Sequence, residues 1–273
     1  MIANNLIKRL FVAAALSLAF IAPTWAEDHS TATKPFNADQ IPEIEGIIRT
    51  YLISHPEILT EAMQKLQERD QQAEIDRLSE TAKAVKPVAT EDHIRGNINA
   101  PVKVIEFSDF ECPFCKSFHA SMRQVMQGYE KDGKVAWVYR HFPLDQLHSK
   151  ARKEAQAAEC AGELGGNKAF WAYADGLFEI APSNNRLDLA LLPKIAEGMG
   201  LDKAKFNACL DGDQRGGKFA AHIEANVQDA MASGGTGTPY SLVIGAKGHI
   251  FPVSGAMPAE DLRAIIDAAL KEE

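Results

Sequence analysis

Cysteine is scarce in this chain: 273 residues hold four, Cys112, Cys115, Cys160 and Cys209. A structural zinc site needs four ligands, usually as two closely spaced pairs. Only Cys112 and Cys115 lie close together, and no His-x₃₋₅-His pair accompanies the other two, so a zinc finger is excluded. Positive charge is short as well. There are 29 Lys and Arg against 37 Asp and Glu, a net charge of −8, with no polybasic run. That balance argues against a nucleic-acid or anionic-membrane surface. No internal repeat is visible, and beyond Ala26 no apolar run is long enough to span a bilayer. What is present is ordinary globular composition, 46% hydrophobic and 24% charged. The length suits one large domain plus an appendage, or two domains.

The N-terminus reads as a targeting segment. Lys8 and Arg9 precede LFVAAALSLAFIA, an apolar run of about a dozen residues, too short to cross a membrane. Thr24-Trp25-Ala26 then offers small residues at the positions a signal peptidase reads, so residues 1–26 are expected to be removed. The mature protein is expected to be soluble and exported, and the short leader suits a bacterial periplasm. Export matters because an oxidising compartment lets disulfides form and persist.

Residues 27–40 are polar and read as a loose tail. From Pro42, Ile44, Ile47, Ile48, Tyr51 and Leu52 recur at i, i+3, i+4, i+7 and i+8, the period of one helix face. SHPE (54–57) breaks the pattern, and Pro56 suits the first turn of a second helix whose stripe runs through Leu59, Met63 and Leu66. QERDQQAEIDRLSE (67–80) reads as solvated helix, and residues 84–90, with Pro87, read as a hinge. A segment of about 45 residues is too small to bury two apolar helix faces by itself. It packs either on the body or on copies of itself. The polar stretch would hold the stripe off the body, which favours a homo-oligomer, dimer or trimer.

The main region, residues 87–273, begins to take shape near His93. APVKVIEFSDF (100–110) reads as a buried strand, Cys112 to about Gln127 as a helix, and KVAWVYRHF (134–142) as a second strand. An Ala-rich helical insertion fills about 145–232, broken at APSNN (181–185) and GDQRGG (212–217). SGGTGTPY (233–240) is a loop, SLVIG and HIFPVSG form a hairpin, and Pro258 opens a final amphipathic helix. The fold class is therefore α/β, a sheet interrupted by inserted helices.

Cys112-Pro-Phe-Cys115 could hold a metal, staple the fold or exchange electrons. An inert staple is unrewarding, because closing so short a loop constrains the unfolded chain little. Redox exchange has a specific physical basis. Cys112 sits where a strand ends and a helix begins, with Pro113 at the first helical position, where a missing N–H costs nothing. Cys112 is then the N-cap, its sulfur facing unpaired N–H groups and the positive end of the helix dipole. Such surroundings lower a thiol pKa towards the range of reactive cysteines. Cys115 lies three residues on, on the same face, within reach of a disulfide. Cys112 would attack as thiolate, and Cys115 would resolve the mixed disulfide.

These residues resemble the DsbA-type branch of the thioredoxin superfamily. VIEFSDFECPFC is similar to that family's first core strand and active-site helix, RHFPL (140–144) and the Ala-rich block to its helical insertion, and GTGTPY to its cis-proline loop. The resemblance covers about 93–270 and implies a thioredoxin fold with an inserted helical domain. It makes Cys112 the nucleophile, Cys115 the resolving cysteine and Pro239 the cis-proline, with Thr238 pairing substrate backbone. It also makes Glu106 a buried acid beneath the site. An acid within VIEF is odd in its own right, because buried carboxylates are costly; it could hold a raised pKa and relay the Cys115 proton, or reach solvent at a strand end. The active-site surround, Pro113 and Phe114, departs from strongly oxidising members, which carry His where Phe114 stands. Thr238 is similar to the isomerases and reductases DsbC and DsbG, and the N-terminal helices resemble the oligomerisation arms of ScsC-like proteins.

In an oxidising compartment Cys160 and Cys209 are expected to pair as a structural disulfide; the alternative is two buried thiols acting as small apolar residues. His148 reads as a structural or capping residue, and His119 is one turn beyond Cys115. Trp171, Tyr173 and Phe178 read as core. Phe110, Phe114 and Phe118 are expected to form an apolar surface for unfolded substrates. The expected function is thiol–disulfide exchange with cysteines of exported proteins, leaning to isomerase or reductase work, with oxidase activity the alternative. No cofactor or metal is expected; electrons would pass to a membrane redox partner. Copper sequestration by soft thiolates and a non-enzymatic chaperone remain other classes.

Overall fold

A computed structural model of the chain describes residues 37–129, 131–211 and 217–271. The leader with its cleavage site, most of the polar tail and most of the GDQRGG break lie outside the described residues. The chain divides into two units, Met1–Gln64 and Lys65–Glu273.

In the first unit, α1 (Ile41–Ser54) carries Pro42 in its first turn and ends at His55, whose N–H caps Tyr51 O. The next helix, α2 (Pro56–Ala82), starts on Pro56 as its sequence requires. No residue of α1 is buried. Ile47 is 62% exposed and Met63 71%, so most of the apolar stripe is open, with Ile44 and Leu52 half-buried.

In the second unit the described residues form a five-stranded sheet, ordered β1 (His93–Gly96), β3 (Val135–His141), β2 (Val102–Ser108), β4 (Tyr240–Ile244) and β5 (Ile250–Ser254). Central β2 (Val102–Ser108) runs parallel to β3 (Val135–His141), with α3 (Pro113–Tyr129) crossing between them. Antiparallel to β2 lies β4 (Tyr240–Ile244), which turns back into β5 (Ile250–Ser254). Along β2 the pleat alternates: Val102 and Val104 face one core with Phe118 and Met122, while Ile105 and Phe107 face the other with Val138 and Leu242. One helix turn after another, α3 buries Cys115, Phe118, His119, Met122, Val125 and Met126, the i, i+3, i+4 pattern of a single face. Closing the same layer is α8 (Ala259–Leu270).

Among the described residues four α-helices enter between β3 and β4: α4 (Ala151–Ile180), α5 (Leu192–Gly198), α6 (Lys203–Leu210) and α7 (Ala220–Ala232). A break inside α4 was not legible in its helical periodicity: Gly166 has φ 71° and ψ −173°, a conformation essentially reserved for glycine. The short edge strand β1 (His93–Gly96), antiparallel to β3, also escaped the sequence reading, because four residues show no period. A further difference concerns residues 84–90. Rather than swinging as a hinge, they are held by Arg140, whose guanidinium bonds Lys86 O, Pro87 O, Asp92 and Asp229, while Asp229 accepts the Lys86 N–H. Ser79 Oγ donates to Ile250 O, so the last turns of α2 also belong to this unit.

Cys160 on α4 and Cys209 on α6 form a disulfide across 49 residues. A loop of that length is expected to be worth about 4 kcal/mol through the unfolded chain. Replacing both cysteines with Ala is therefore expected to lower the urea midpoint with no loss of secondary structure in the folded state. An unchanged midpoint would mean that the helices hold themselves together without the bond.

Candidate active site

The site forms where β2 ends. Asp109 makes the turn: its carbonyl accepts the Cys112 N–H at 3.1 Å and its Oδ1 accepts the Glu111 N–H at 2.8 Å. The helix then opens at Pro113, and Cys112 O accepts the Lys116 N–H at 3.1 Å, which makes Cys112 the N-cap. The two cysteines are free thiols, Cys112 with 4% of its surface exposed and Cys115 with none.

Their environments differ. The Cys115 thiol donates towards the Cys112 sulfur and lowers the Cys112 pKa to about 6; Thr238 and the backbone N–H groups of Cys115 and Phe114 assist, against burial. Burial pushes Cys115 the other way, well above the usual thiol value, and its place beside the Cys112 charge adds to this. The Asp109 N–H points at Cys115 Sγ, 3.4 Å away. The pair thus separates into a ready thiolate and a reserved thiol.

Across the mouth of the site runs the loop before β4. The Thr238–Pro239 peptide is cis, and Thr238 O lies 3.4 Å from Cys112 Sγ. Beneath the site, Glu106 is fully buried on the face of β2 that carries Val104. The alternative of a carboxylate reaching solvent is not what the structure holds. Burial raises the Glu106 pKa to about 7, although Ser108 and the Trp137 Nε1–H, 2.8 Å from Oε2, hold it back. Its charge is one of the causes that raise Cys115.

One expected feature is corrected. Phe110 and Phe118 are buried, at 1% and 0% exposure, and only Phe114, at 63%, faces solvent. Phe118 stands three residues from Cys115 and so shares its inward face, while Phe110 packs on Tyr139 and Phe178. No three-phenylalanine surface surrounds the motif. His119 lies away from the cleft, its Nε2 bonded to Asp175 Oδ1 at 2.7 Å among Trp137, Trp171 and Phe178. Trp171, Tyr173 and Phe178 are core residues.

The structure adds acids that the sequence reading missed. Asp109 Oδ2 accepts from Leu144 N–H and from His148 Nδ1, each at 2.8 Å. Glu111, adjacent to the nucleophile and fully buried, accepts the Asn184 N–H on its carbonyl and the Asn185 N–H on its carboxylate. Ser183, Asn184 and Asn185 are all left-handed, a costly run that places two successive N–H groups on one residue. Glu154 on α4 is pushed up to about 10, first by burial and then by the neighbouring Glu111. The signal was two acids within the three residues before the first cysteine in SDFEC.

A family profile described as thioredoxin matches residues 88–268, and one described as the copper resistance protein ScsC N-terminal domain matches 42–73. The chain belongs to the thioredoxin family. Within it the chain is DsbA-like in fold, with a disulfide-capable cysteine pair, and its N-terminal helices match the ScsC type. The crystal structure of Pseudomonas aeruginosa DsbA2 is 27% identical with a TM-score of 0.55, over 68% of this chain and 98% of that one. A linker-deletion variant of Proteus mirabilis ScsC shares the fold at 23% identity and a TM-score of 0.53, over 88% of this chain and 99% of that one. Among curated relatives, the Na(+)/H(+) antiporter NhaA 3 of Salinispora tropica is 36% identical over 182 residues. That match takes 67% of this chain but 26% of the antiporter, so the chain spans about a quarter of that relative's length. Among the described residues no helix is long and apolar enough to cross a membrane.

Proposed function

We propose that this protein exchanges disulfides with cysteines of exported proteins in the periplasm, acting through Cys112, and that its work leans to isomerisation and reduction. The observation that carries this reading is the asymmetry of the pair, a Cys112 thiol lowered to about 6 above a Cys115 thiol raised far up. The Cys112 thiolate attacks a client disulfide, forms a Cys112–client bond and releases the other client sulfur as thiolate. Two exits follow. In one, a client thiolate attacks the bonded client sulfur, which returns Cys112 as thiolate and rearranges the client with no net electron transfer. In the other, Cys115 gives its proton to the Glu106 carboxylate and attacks Cys112 Sγ. That step releases the client as a dithiol, reduced by two electrons, and leaves Cys112 bonded to Cys115. A strongly raised Cys115 slows the second exit and favours the first. Run backwards, the second exit is the oxidase reaction. No cofactor is needed; a membrane redox protein would restore the pair by dithiol exchange.

The open apolar stripe on α1 and α2 supports self-association, as a dimer or trimer, through residues about 40–80. Several active sites around one client would raise their effective concentration. The test compares the wild type with the full-length triple variant Ile47→Ser, Ile48→Ser, Tyr51→Ser. The variant is expected to sediment as a monomer and to lose about tenfold in refolding scrambled ribonuclease. Its oxidation of reduced ribonuclease should stay within about twofold, since Cys112 is untouched. A wild type that sediments as a monomer, or a variant that isomerises equally well, would sink this reading. The copper-resistance description of the N-terminal profile favours one second reading, Cu(I) held by the paired thiolates. Stoichiometric copper binding by reduced protein that is inactive on ribonuclease would select it.

A further inference from the structure

Phe114 stands between the two cysteines, and its side chain brings neither charge nor a hydrogen bond to the thiolate. A histidine ring nevertheless reaches the site from the start of the insertion. We propose that His148 supplies the positive charge that balances Asp109 beside Cys112, and is thereby a positioning residue for disulfide exchange. This rests on Cys112 being the nucleophile.

Asp109 is the link. Its main chain touches both cysteines, accepting the Cys112 N–H and donating to Cys115 Sγ. Its carboxylate cannot turn away, because the Glu111 and Leu144 N–H groups fix Oδ1 and Oδ2, and His148 Nδ1 occupies Oδ2 at 2.8 Å. The His148 main chain that carries the imidazole is fixed as well. His148 N–H donates to Leu144 O, and His148 O accepts the Ala151 N–H in the first turn of α4. Asn185, from the left-handed turn, bonds Leu147 O and the Lys150 N–H on either side. The His148 side chain keeps 8% of its surface exposed, and that of Asp109 none.

A bare carboxylate fixed against the motif would oppose a thiolate at Cys112. A protonated imidazole cancels it. The Asp109 hydrogen bond raises the His148 pKa, burial opposes this, and the charges of Asp109, Cys112 and Glu111 add to the rise. Those three groups, with the protonated Glu154 behind Glu111, are the titratable neighbours that matter here. The sequence expectation of a capping residue captured the His148 backbone but not its ring.

The experiment titrates the thiolate absorbance of the reduced full-length protein near 240 nm, in wild type, His148→Gln, and His148→Gln combined with Asp109→Asn. The single variant is expected to raise the Cys112 midpoint by about one unit. It should also shift the equilibrium with glutathione about tenfold towards the oxidised protein, about 30 mV lower in potential. The double variant, which removes both charges, is expected to return most of that shift. A folded single variant with an unmoved midpoint overturns the proposal, as does a double variant whose midpoint lies as far above the wild type as the proposal expects of the single. The second comparison still applies if the single variant does not fold. A wild type whose disulfide exchange survives Cys112→Ser would instead remove Cys112 as the nucleophile, a separate failure.

Discussion

Cys112→Ala is expected to abolish disulfide exchange, by at least about a thousandfold, whereas Cys115→Ala is expected to keep the first attack and stall after it. The difference follows from their surroundings. Cys112 alone combines a lowered thiol pKa with some solvent contact and a place beside Thr238 O. Without it, the buried Cys115 is a protonated thiol with no route to a client. Without Cys115, the mixed disulfide has lost its internal exit and should accumulate with a model client, visible as a reducible band on a non-reducing gel. The Cys112 attack on a small disulfide in that variant should also follow pH. Removing the Cys115 thiol takes away the largest of the lowering interactions, so the rate should rise through a midpoint above the wild-type value of about 6. A Cys112→Ala protein that still reduces insulin, or a Cys115→Ala protein that turns over normally, would contradict this division of labour.

The division was legible in sequence because it is local. A strand rich in Val, Ile and Phe, a cysteine before proline and a second cysteine three residues later place the nucleophile at a helix N-terminus without tertiary information. Glu106 was legible through the resemblance alone: the residues themselves left it between a buried acid and a carboxylate at a strand end, and its place on the face of Val104 under α3 decided for burial. The Asp109–His148 and Glu111–Glu154 pairs were not, because they join residues 39 and 43 apart, and nothing local says that the insertion folds back over the motif. Three phenylalanines within nine residues looked like a patch in one dimension. Helix rotation turns Phe118 inward with Cys115 and leaves Phe114 outside. The false hinge has the same origin: Lys86 and Pro87 look like linker until Arg140, more than fifty residues on, satisfies their carbonyls.

Glu106→Gln is expected to make the protein more stable at pH 8 and slower at its chemistry. The folded state holds Glu106 at about 7 against an ordinary value of 4.5, chiefly through burial. Below pH 4.5 both states carry the proton, and the group costs nothing. Between 4.5 and 7 the unfolded chain releases a proton that the folded chain retains, so stability falls as pH rises. Above 7 the loss is complete, about 3 kcal/mol for a shift of this size. Glutamine does not titrate. The variant should recover much of that loss at pH 8, show almost none at pH 4, and flatten the stability profile between. Urea unfolding at several pH values reads this directly, and parallel profiles for the two proteins would mean that Glu106 titrates normally. The amide cannot accept the Cys115 proton, so formation of the Cys112–Cys115 disulfide should slow by about a hundredfold. The first attack by Cys112 should be nearly unaffected. Greater stability with slower resolution is a combination that simple loss of packing cannot produce, because a cavity or a broken hydrogen bond would lower both.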